Sequence, residues 1–175
     1  MFTNNNFVMK IYSKMVAKDK ILLASEYFNK AYKLHLKGKI DDAIMNYKLS
    51  IEYYSTAKAH TFLGWAYSLH SKFEEAIKEC QIAIELDPDY SNPYNDIGSY
   101  LISLRRYDEA IIWLEKAIGA VDYESKHFPY YNLGRIYERK GNWDTAMKYY
   151  EDALKINPDY DIAKSALVRL TAMMN

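Results

Sequence analysis

One pattern recurs four times along the chain and constrains the fold more than any other feature of the sequence. A small residue followed by an apolar one occurs at intervals of 33, 34 and 36 residues, at Ala43, Ala76, Ala110 and Ala146. Another column of small residues lies twelve positions earlier, at Ala31, Gly64, Gly98 and Gly134. A period of this length indicates stacked copies of one unit, because a single copy cannot bury its own apolar face.

Further positions recur around the alanine column at helical spacing. Large apolar residues lie three positions before it, at Ile40, Phe73, Tyr107 and Trp143. Small residues lie seven positions after it, at Ser50, Ala83, Ala117 and Ala153. Steps of three, four and seven residues place these side chains on one face of a helix. Each copy therefore predicts two helices joined by a turn.

The glycines and prolines fall where such a unit needs them. Gly38 and Gly141 lie between the two predicted helices of a copy, where a left-handed cap would end the first helix. Pro93 and Pro129 fall in the first turn of a predicted helix, the position that proline tolerates best.

The four copies together resemble the tetratricopeptide repeat, a helix–turn–helix unit of 34 residues. The resemblance implies an all-α fold, a right-handed superhelix of four hairpins. It divides the chain into an N-terminal helix or arm (1–23), a repeat domain (24–158) and a C-terminal capping helix (159–175). The predicted repeats span 24–56, 57–90, 91–126 and 127–158, with two extra residues before the fourth, in the segment AVDYESKHFP.

Both ends of the stack are predicted to be helical. An apolar stripe formed by Ile162, Ala166, Leu167 and Leu170 predicts the capping helix. Residues 7–22 carry a weaker stripe, formed by Val8, Ile11, Tyr12, Met15 and Val16. Opposite that stripe lies a basic face of Lys10, Lys14 and Lys18. We interpret it as a solvated surface in preference to a contact with nucleic acid or an anionic membrane.

Composition limits the remaining classes of function. Lysine and arginine balance aspartate and glutamate at 23 each, unlike a domain that binds nucleic acid over its whole surface. No apolar run is long enough to span a membrane or form a signal peptide. The single cysteine, Cys80, fits a reducing compartment. We therefore expect a cytoplasmic protein.

We find no pattern that predicts catalysis, a metal site or a cofactor. Cys80 falls on the predicted buried face of a helix, where a small hydrophobic role is favoured over that of a nucleophile. The four histidines share no short ligand spacing with one another or with Cys80. Acidic pairs at 41–42, 74–75 and 108–109 fall in the first turns of predicted helices, where their negative charge interacts favourably with the helix dipole.

The resemblance also implies where a partner would bind. In this family the first helices of successive units line a concave groove that binds peptides or helices of other proteins. The matching positions that we predict for the groove are Tyr32, Thr61, Phe62, Trp65, Asn95, Asp96, Ser99, Tyr131, Asn132 and Arg135. Phe28 and Asn29 match the same positions in the first copy, and Phe28 and Phe62 suit the core equally well. Trp113 is predicted to point outward from its helix. The sequence leaves open whether it forms a second contact surface or packs on a neighbouring helix.

One known subclass of the family is excluded by its residues. That subclass grips the terminal carboxylate of chaperones with a clamp of Lys, Asn, Asn, Lys and Arg. Neither alignment of the clamp onto this chain provides a matching cation, and a carboxylate ligand would meet the like charge of Asp96.

Two hypotheses about function remain. The first is a non-enzymatic adaptor or scaffold whose groove binds a peptide or helix of a partner protein. The second is a small chaperone for an aggregation-prone or secreted client, dimerising through its N-terminal helix. The sequence leaves the monomer and the homodimer both open.

Overall fold

The computed structural model describes residues 3–120, 123 and 125–174, with side chains from residue 14 onward. Over these residues the regular structure is entirely α-helical, which confirms the predicted class. The helices are α1 (Thr3–Leu36), α2 (Ile40–Tyr53), α3 (Ala57–Leu69), α4 (Phe73–Leu86), α5 (Asn92–Ser103), α6 (Tyr107–Gly119), α7 (His127–Arg139), α8 (Trp143–Ile156) and α9 (Asp161–Met174).

The helices pack as a one-dimensional stack of hairpins. Each odd-numbered helix from α1 to α7 pairs most closely with the helix that follows it. Each hairpin then contacts the next, and α9 packs against α8 at the end of the stack. Helices α1, α3, α5 and α7 also contact one another in order, so they share one face of the molecule. This is the solenoid that the repeat predicts.

The turns inside the hairpins have the same backbone geometry in all four copies. Gly38 and Gly141 adopt left-handed conformations with φ of +72° and +75°, as predicted. Ser71 and Arg105 occupy the equivalent places with φ of +57° and +60°, although they are not glycines. The turn imposes this conformation whatever the residue, and a side chain there costs about 1–2 kcal/mol.

Close approach of the two helices explains the column of small residues. A Cβ atom at Gly64 would lie 2.9 Å from the carbonyl oxygen of Ala76 on α4. At Gly98 it would lie 2.5 Å from Cδ2 of Leu114 on α6. A Cβ atom at Gly64 would meet backbone and force the two helices apart, whereas one at Gly98 would require the Leu114 side chain to shift.

The core follows the stack in clusters. Members of the alanine column are fully buried, as are Ala83, Ala117 and Ala153 further along the second helices. Ser50 takes the corresponding place in α2, and its hydroxyl donates a 2.7 Å hydrogen bond to the carbonyl of Ala24 on α1.

Trp113 on α6 is half-buried against the central cluster. Its ring lies 6.0 Å from that of Tyr94 on α5, and Nζ of Lys116 lies 4.5 Å above it. The side chain therefore packs within its own hairpin.

The first helix is longer than the expected first helix of a repeat. α1 continues without a break from Thr3 to Leu36, across the expected boundary at residues 23 and 24. The sequence has no glycine or proline before Gly38, so nothing ends the helix earlier. Met15 and Val16 are exposed on it, while Val8, Lys10, Ile11 and Tyr12 lie outside the described side chains. Among the described helices, none is both long and apolar enough to cross a membrane.

The last helix, α9, covers the apolar end of the stack, but its predicted stripe needs one correction. Ala163, Ala166 and Leu170 are buried, whereas Ile162 is 56% exposed. Ile162 lies in the first turn of α9, and the helix turns its neighbour Ala163 toward α8 instead. Arg169 pairs with Glu138 on α7 at 2.7 Å and joins this cap to the last hairpin.

Candidate functional site

Two adjoining pockets lie on the face that the first helices of the hairpins share. The first, here called the aromatic pocket, has a volume of about 380 Å³ and is lined by Thr61, Phe62, Trp65, Asn92, Asn95, Asp96, Tyr123, Ser125 and Phe128. The second, the polar pocket, has a volume of about 320 Å³ and is lined by Trp65, Ser68, Asn95, Asp96, Ser99, Tyr100, Phe128, Tyr131, Asn132, Arg135 and Tyr160. Because they share four residues, they form one groove along α3, α5 and α7.

The predicted groove residues come together here, with one exception. Thr61 and Phe62 line the aromatic pocket, and Trp65, Asn95 and Asp96 line both pockets. The polar pocket takes in Ser99, Tyr131, Asn132 and Arg135. Tyr32 lines neither pocket; its ring packs edge-on against Phe62 at 5.6 Å.

The aromatic residues at the α3 end are held by one another. Phe62 contacts Phe28, Tyr32 and Trp65, with ring centroids 5.3 to 5.9 Å apart. Trp65 lies 4.0 Å from the ring of the buried His35 and remains 39% exposed. Phe28 packs on the core and lines neither pocket, whereas Phe62 packs on the core and also faces the aromatic pocket. The sequence could not distinguish these two roles.

A chain of hydrogen bonds orders the polar residues across two hairpins. Arg135 Nη1 donates to Oδ1 of Asn132 at 3.0 Å, and Nδ2 of Asn132 donates to Oδ1 of Asn95 at 3.0 Å. Both asparagines are at most 9% exposed. Their amides therefore hold α5 and α7 in register and fix the guanidinium of Arg135, which also lies 6.0 Å from the ring of Tyr131.

Of the residues that the structure describes, Asp96 is the one acidic side chain that lines the two pockets. Burial raises its pKa from 3.8 to about 7, and a hydrogen bond from the side chain of Asn95 opposes this shift in part. Among the described residues, no lysine, arginine or histidine forms an ion pair with it. The carboxylate is therefore costly to ionise in the absence of a cation.

The connection between α6 and α7 contributes a wall that sequence reasoning missed. Tyr123 is 7% exposed and lines the aromatic pocket, together with Ser125 and Phe128. The signal was the pair of extra residues before the fourth copy, which lengthens this connection. Asn92, at the start of α5, and Tyr160, just before α9, complete the lining of the groove.

Groups with catalytic or metal-binding chemistry occupy structural places. Cys80 is fully buried, and burial raises the pKa of its thiol well above the ordinary value, as suits a core residue. No group of three or more His, Cys, Asp or Glu side chains is arranged to hold a metal ion among the described residues. The three acidic pairs lie in the first turns of α2, α4 and α6, as predicted.

One hydrogen-bonded chain has the residue types of a catalytic triad. Ser55 Oγ lies 2.9 Å from Nε2 of His60, and Nδ1 of His60 lies 2.6 Å from Oε2 of Glu79. Ser55 is exposed just before α3, whereas His60 on α3 is buried and contacts Glu79 on α4. We assign this chain the structural role of tying α3 to α4.

The fold defines a class of protein, a solenoid of helical hairpins whose first helices share one face. Models of the tetratricopeptide repeat match residues 57–90, 91–120 and 128–160. The chain belongs to the tetratricopeptide-repeat family, as the sequence pattern indicated. Proteins of this family serve in protein–protein interaction.

Curated relatives match only part of their own length. Protein bimA of Emericella nidulans is 27% identical over 125 residues, which are 71% of this chain and 15% of that protein. A protein named STIP1 homolog from Dictyostelium discoideum is 35% identical over 88 residues, 47% of this chain and 16% of that protein. The chain thus spans about one sixth of these relatives.

Solved structures share the fold over most of the chain. PilF of Pseudomonas aeruginosa has a TM-score of 0.81 at 20% identity and covers 89% of this chain and 71% of its own. MamA has a TM-score of 0.69 at 28% identity, with 84% and 85% covered. YrrB, described as a TPR protein with an unusual peptide-binding site, has a TM-score of 0.68 at 20% identity, with 82% and 73% covered.

Proposed function

We propose that the chain is a non-enzymatic adaptor whose groove binds a peptide or helix of another protein. The observation that carries the proposal is the pair of adjoining pockets, which joins aromatic and polar side chains along three hairpins. Aromatic residues and arginine are the side chains that dominate binding energy at protein interfaces. A half-exposed Trp65 and an ordered Arg135 therefore provide an anchor at each end of the groove.

A displayed random-peptide library tests this proposal. Peptides selected on the wild-type protein should lose affinity for the double variant Trp65→Ala with Arg135→Ala by about 30-fold or more, as expected when hot-spot side chains are removed. The control is Ile112→Ala with Arg139→Ala, two exposed side chains outside both pockets. All variants should keep the helical circular dichroism of the wild type.

Two results would contradict the proposal. Equal binding by the wild type and the groove variant would place the binding site elsewhere. Loss of helical structure in the groove variant would make Trp65 and Arg135 core residues. We include a cytoplasmic location in the proposal because the single cysteine suits a reducing compartment, and cell fractionation tests it.

A second candidate function is a chaperone that dimerises through α1. The observation that favours it is a row of exposed apolar side chains, with Met15, Ile21 and Leu22 exposed by 60%, 47% and 59%. A chaperone would elute as a dimer in size-exclusion chromatography and suppress the aggregation of an unfolded client. A monomer that protects no client would exclude this role and leave the adaptor.

A further inference from the structure

The aromatic pocket has the composition of a site for a positively charged group. Four aromatic rings line it: Phe62, Trp65, Tyr123 and Phe128. Within the described part of the chain, Asp96 is the only charged side chain that lines it. A cation over aromatic faces is stabilised by the negative face of each ring, and Trp is the strongest of these partners.

The electrostatics of the pocket favour the same occupant. Asp96 is partly buried and lacks a cationic partner among the described residues, so its ionised form is destabilised by desolvation. A cation that enters the pocket would supply the missing charge beside a partly buried carboxylate, where the attraction is stronger than at a fully exposed site. An anion would meet the carboxylate instead and would be rejected.

The positively charged side chain that lines the groove lies outside the aromatic pocket. Arg135 lines the polar pocket only, and its guanidinium is held by Asn132. Asp96 lines both pockets, whereas Arg135 lines the polar pocket alone, so the positive charge lies beside the aromatic pocket and not in it. This arrangement suits a chain that offers a basic side chain at one point and an acidic or carbonyl group further along.

We propose that the aromatic pocket binds a basic side chain, lysine or arginine, of the protein segment that occupies the groove. The inference rests on the proposed function, and it identifies the chemistry that the groove selects. Asp96 accepts hydrogen bonds from the ammonium or guanidinium group, Trp65 and Phe62 pack along its methylene groups, and Asn92 and Asn95 offer further acceptors.

Single amino-acid probes test the pocket without a known partner. The probes are the Nα-acetyl N-methylamides of lysine, arginine and norleucine, of which norleucine is uncharged and similar in length to lysine. Binding is followed by the two-dimensional NMR signals of the Trp65 indole and the Asn92 and Asn95 side-chain amides. We expect lysine and arginine to bind about 3- to 30-fold more tightly than norleucine, the range given by a partly desolvated cation–π contact. The ratio between the lysine and arginine probes identifies the preferred cation.

Two variants assign the preference to the pocket. Asp96→Asn retains the shape of the side chain and should abolish the advantage of the charged probes. Trp65→Leu should weaken the charged probes and norleucine alike if the ring only provides apolar area, and the charged probes more strongly if it provides a cation–π contact. The matched control, Asp144→Asn, changes an exposed carboxylate on α8 and should leave all three probes unaffected.

The outcomes separate this inference from the proposed function. Equal binding of lysine and norleucine, an unchanged preference in Asp96→Asn, or the absence of any shift would overturn the cation pocket. Library peptides that bind the groove but carry no conserved lysine or arginine would also overturn it while leaving the adaptor in place. A cation-binding pocket in a protein that selects no peptide would instead overturn the adaptor.

Discussion

Replacement of Gly134 tests the packing that defines the hairpin. A Cβ atom at Gly134 would lie 2.6 Å from Cδ1 of Tyr150 and closer still to Cε1. Tyr150 is fully buried, and its hydroxyl donates a 2.8 Å hydrogen bond to Glu138, which also pairs with Arg169. Movement of the ring would break its hydrogen bond to Glu138 and disturb the contacts that join α7 to α9.

The expected cost follows from these contacts. Overpacking a core by one carbon costs about 1–3 kcal/mol, and replacing a helical glycine with alanine returns about 1 kcal/mol. Because Tyr150 is fully buried and hydrogen-bonded, we place Gly134→Ala in the upper part of this range, about 2–3 kcal/mol, so the net loss of unfolding free energy is about 1–2 kcal/mol. Gly134→Leu adds three further carbons and should cost more than about 3 kcal/mol, enough to disrupt a domain of ordinary stability.

Urea denaturation followed by far-UV circular dichroism measures these differences. The control is Gly119→Ala, because nothing lies within 4 Å of a Cβ atom at that position. Its effect should stay within about 0.5 kcal/mol. A Gly134→Leu variant that unfolds at the wild-type midpoint would refute the hairpin packing, as would equal effects of alanine at both positions.

Three further predictions follow from single positions. Ser71→Gly and Arg105→Gly should each raise the unfolding free energy by about 0.5–1 kcal/mol, because glycine removes the steric strain of a side chain at positive φ and this gain exceeds the entropic cost of ordering glycine. An unchanged urea midpoint would contradict this. Asp96 has a pKa of about 7 in the folded chain against 3.8 otherwise, so the folded state binds the proton more tightly and its stability falls as pH rises from about 4 to 7. Asp96→Asn should therefore be more stable than the wild type at pH 8 by about 2 kcal/mol or more and equal to it near pH 4; parallel pH profiles of the two melting curves would exclude the shift. In Arg169→Ala, α9 should detach before the hairpins unfold, so its amide hydrogens should exchange faster than those of α8. Equal exchange along α8 and α9 would contradict this.

The repeat register could be predicted from the sequence because its contacts leave a direct trace. Where two helices touch, only a small residue fits, and the same position recurs in every copy, as at Gly64 and Gly98. The first turns of the second helices could also be predicted, because aromatic and acidic residues recur there. These signals are local or periodic, so no tertiary information was needed.

Other features depend on tertiary contacts that the sequence does not display. The left-handed turns at Ser71 and Arg105 carry no glycine, so only the repeat geometry reveals them. Tyr123 lines the groove from the longer connection before α7, and no periodic pattern includes it. The orientation of α9 is set by its docking on α8, which buries Ala163 and leaves Ile162 exposed.

Site-directed photo-crosslinking tests the central claim most directly. The photoreactive residue p-benzoylphenylalanine is placed at Trp65 in the groove and, separately, at Ile112, which is 55% exposed on α6. Each variant is mixed with a peptide selected on the wild-type protein and irradiated. The groove account predicts an adduct from position 65 and none from position 112. An adduct from position 112 alone would place the partner on the outer face and contradict the account.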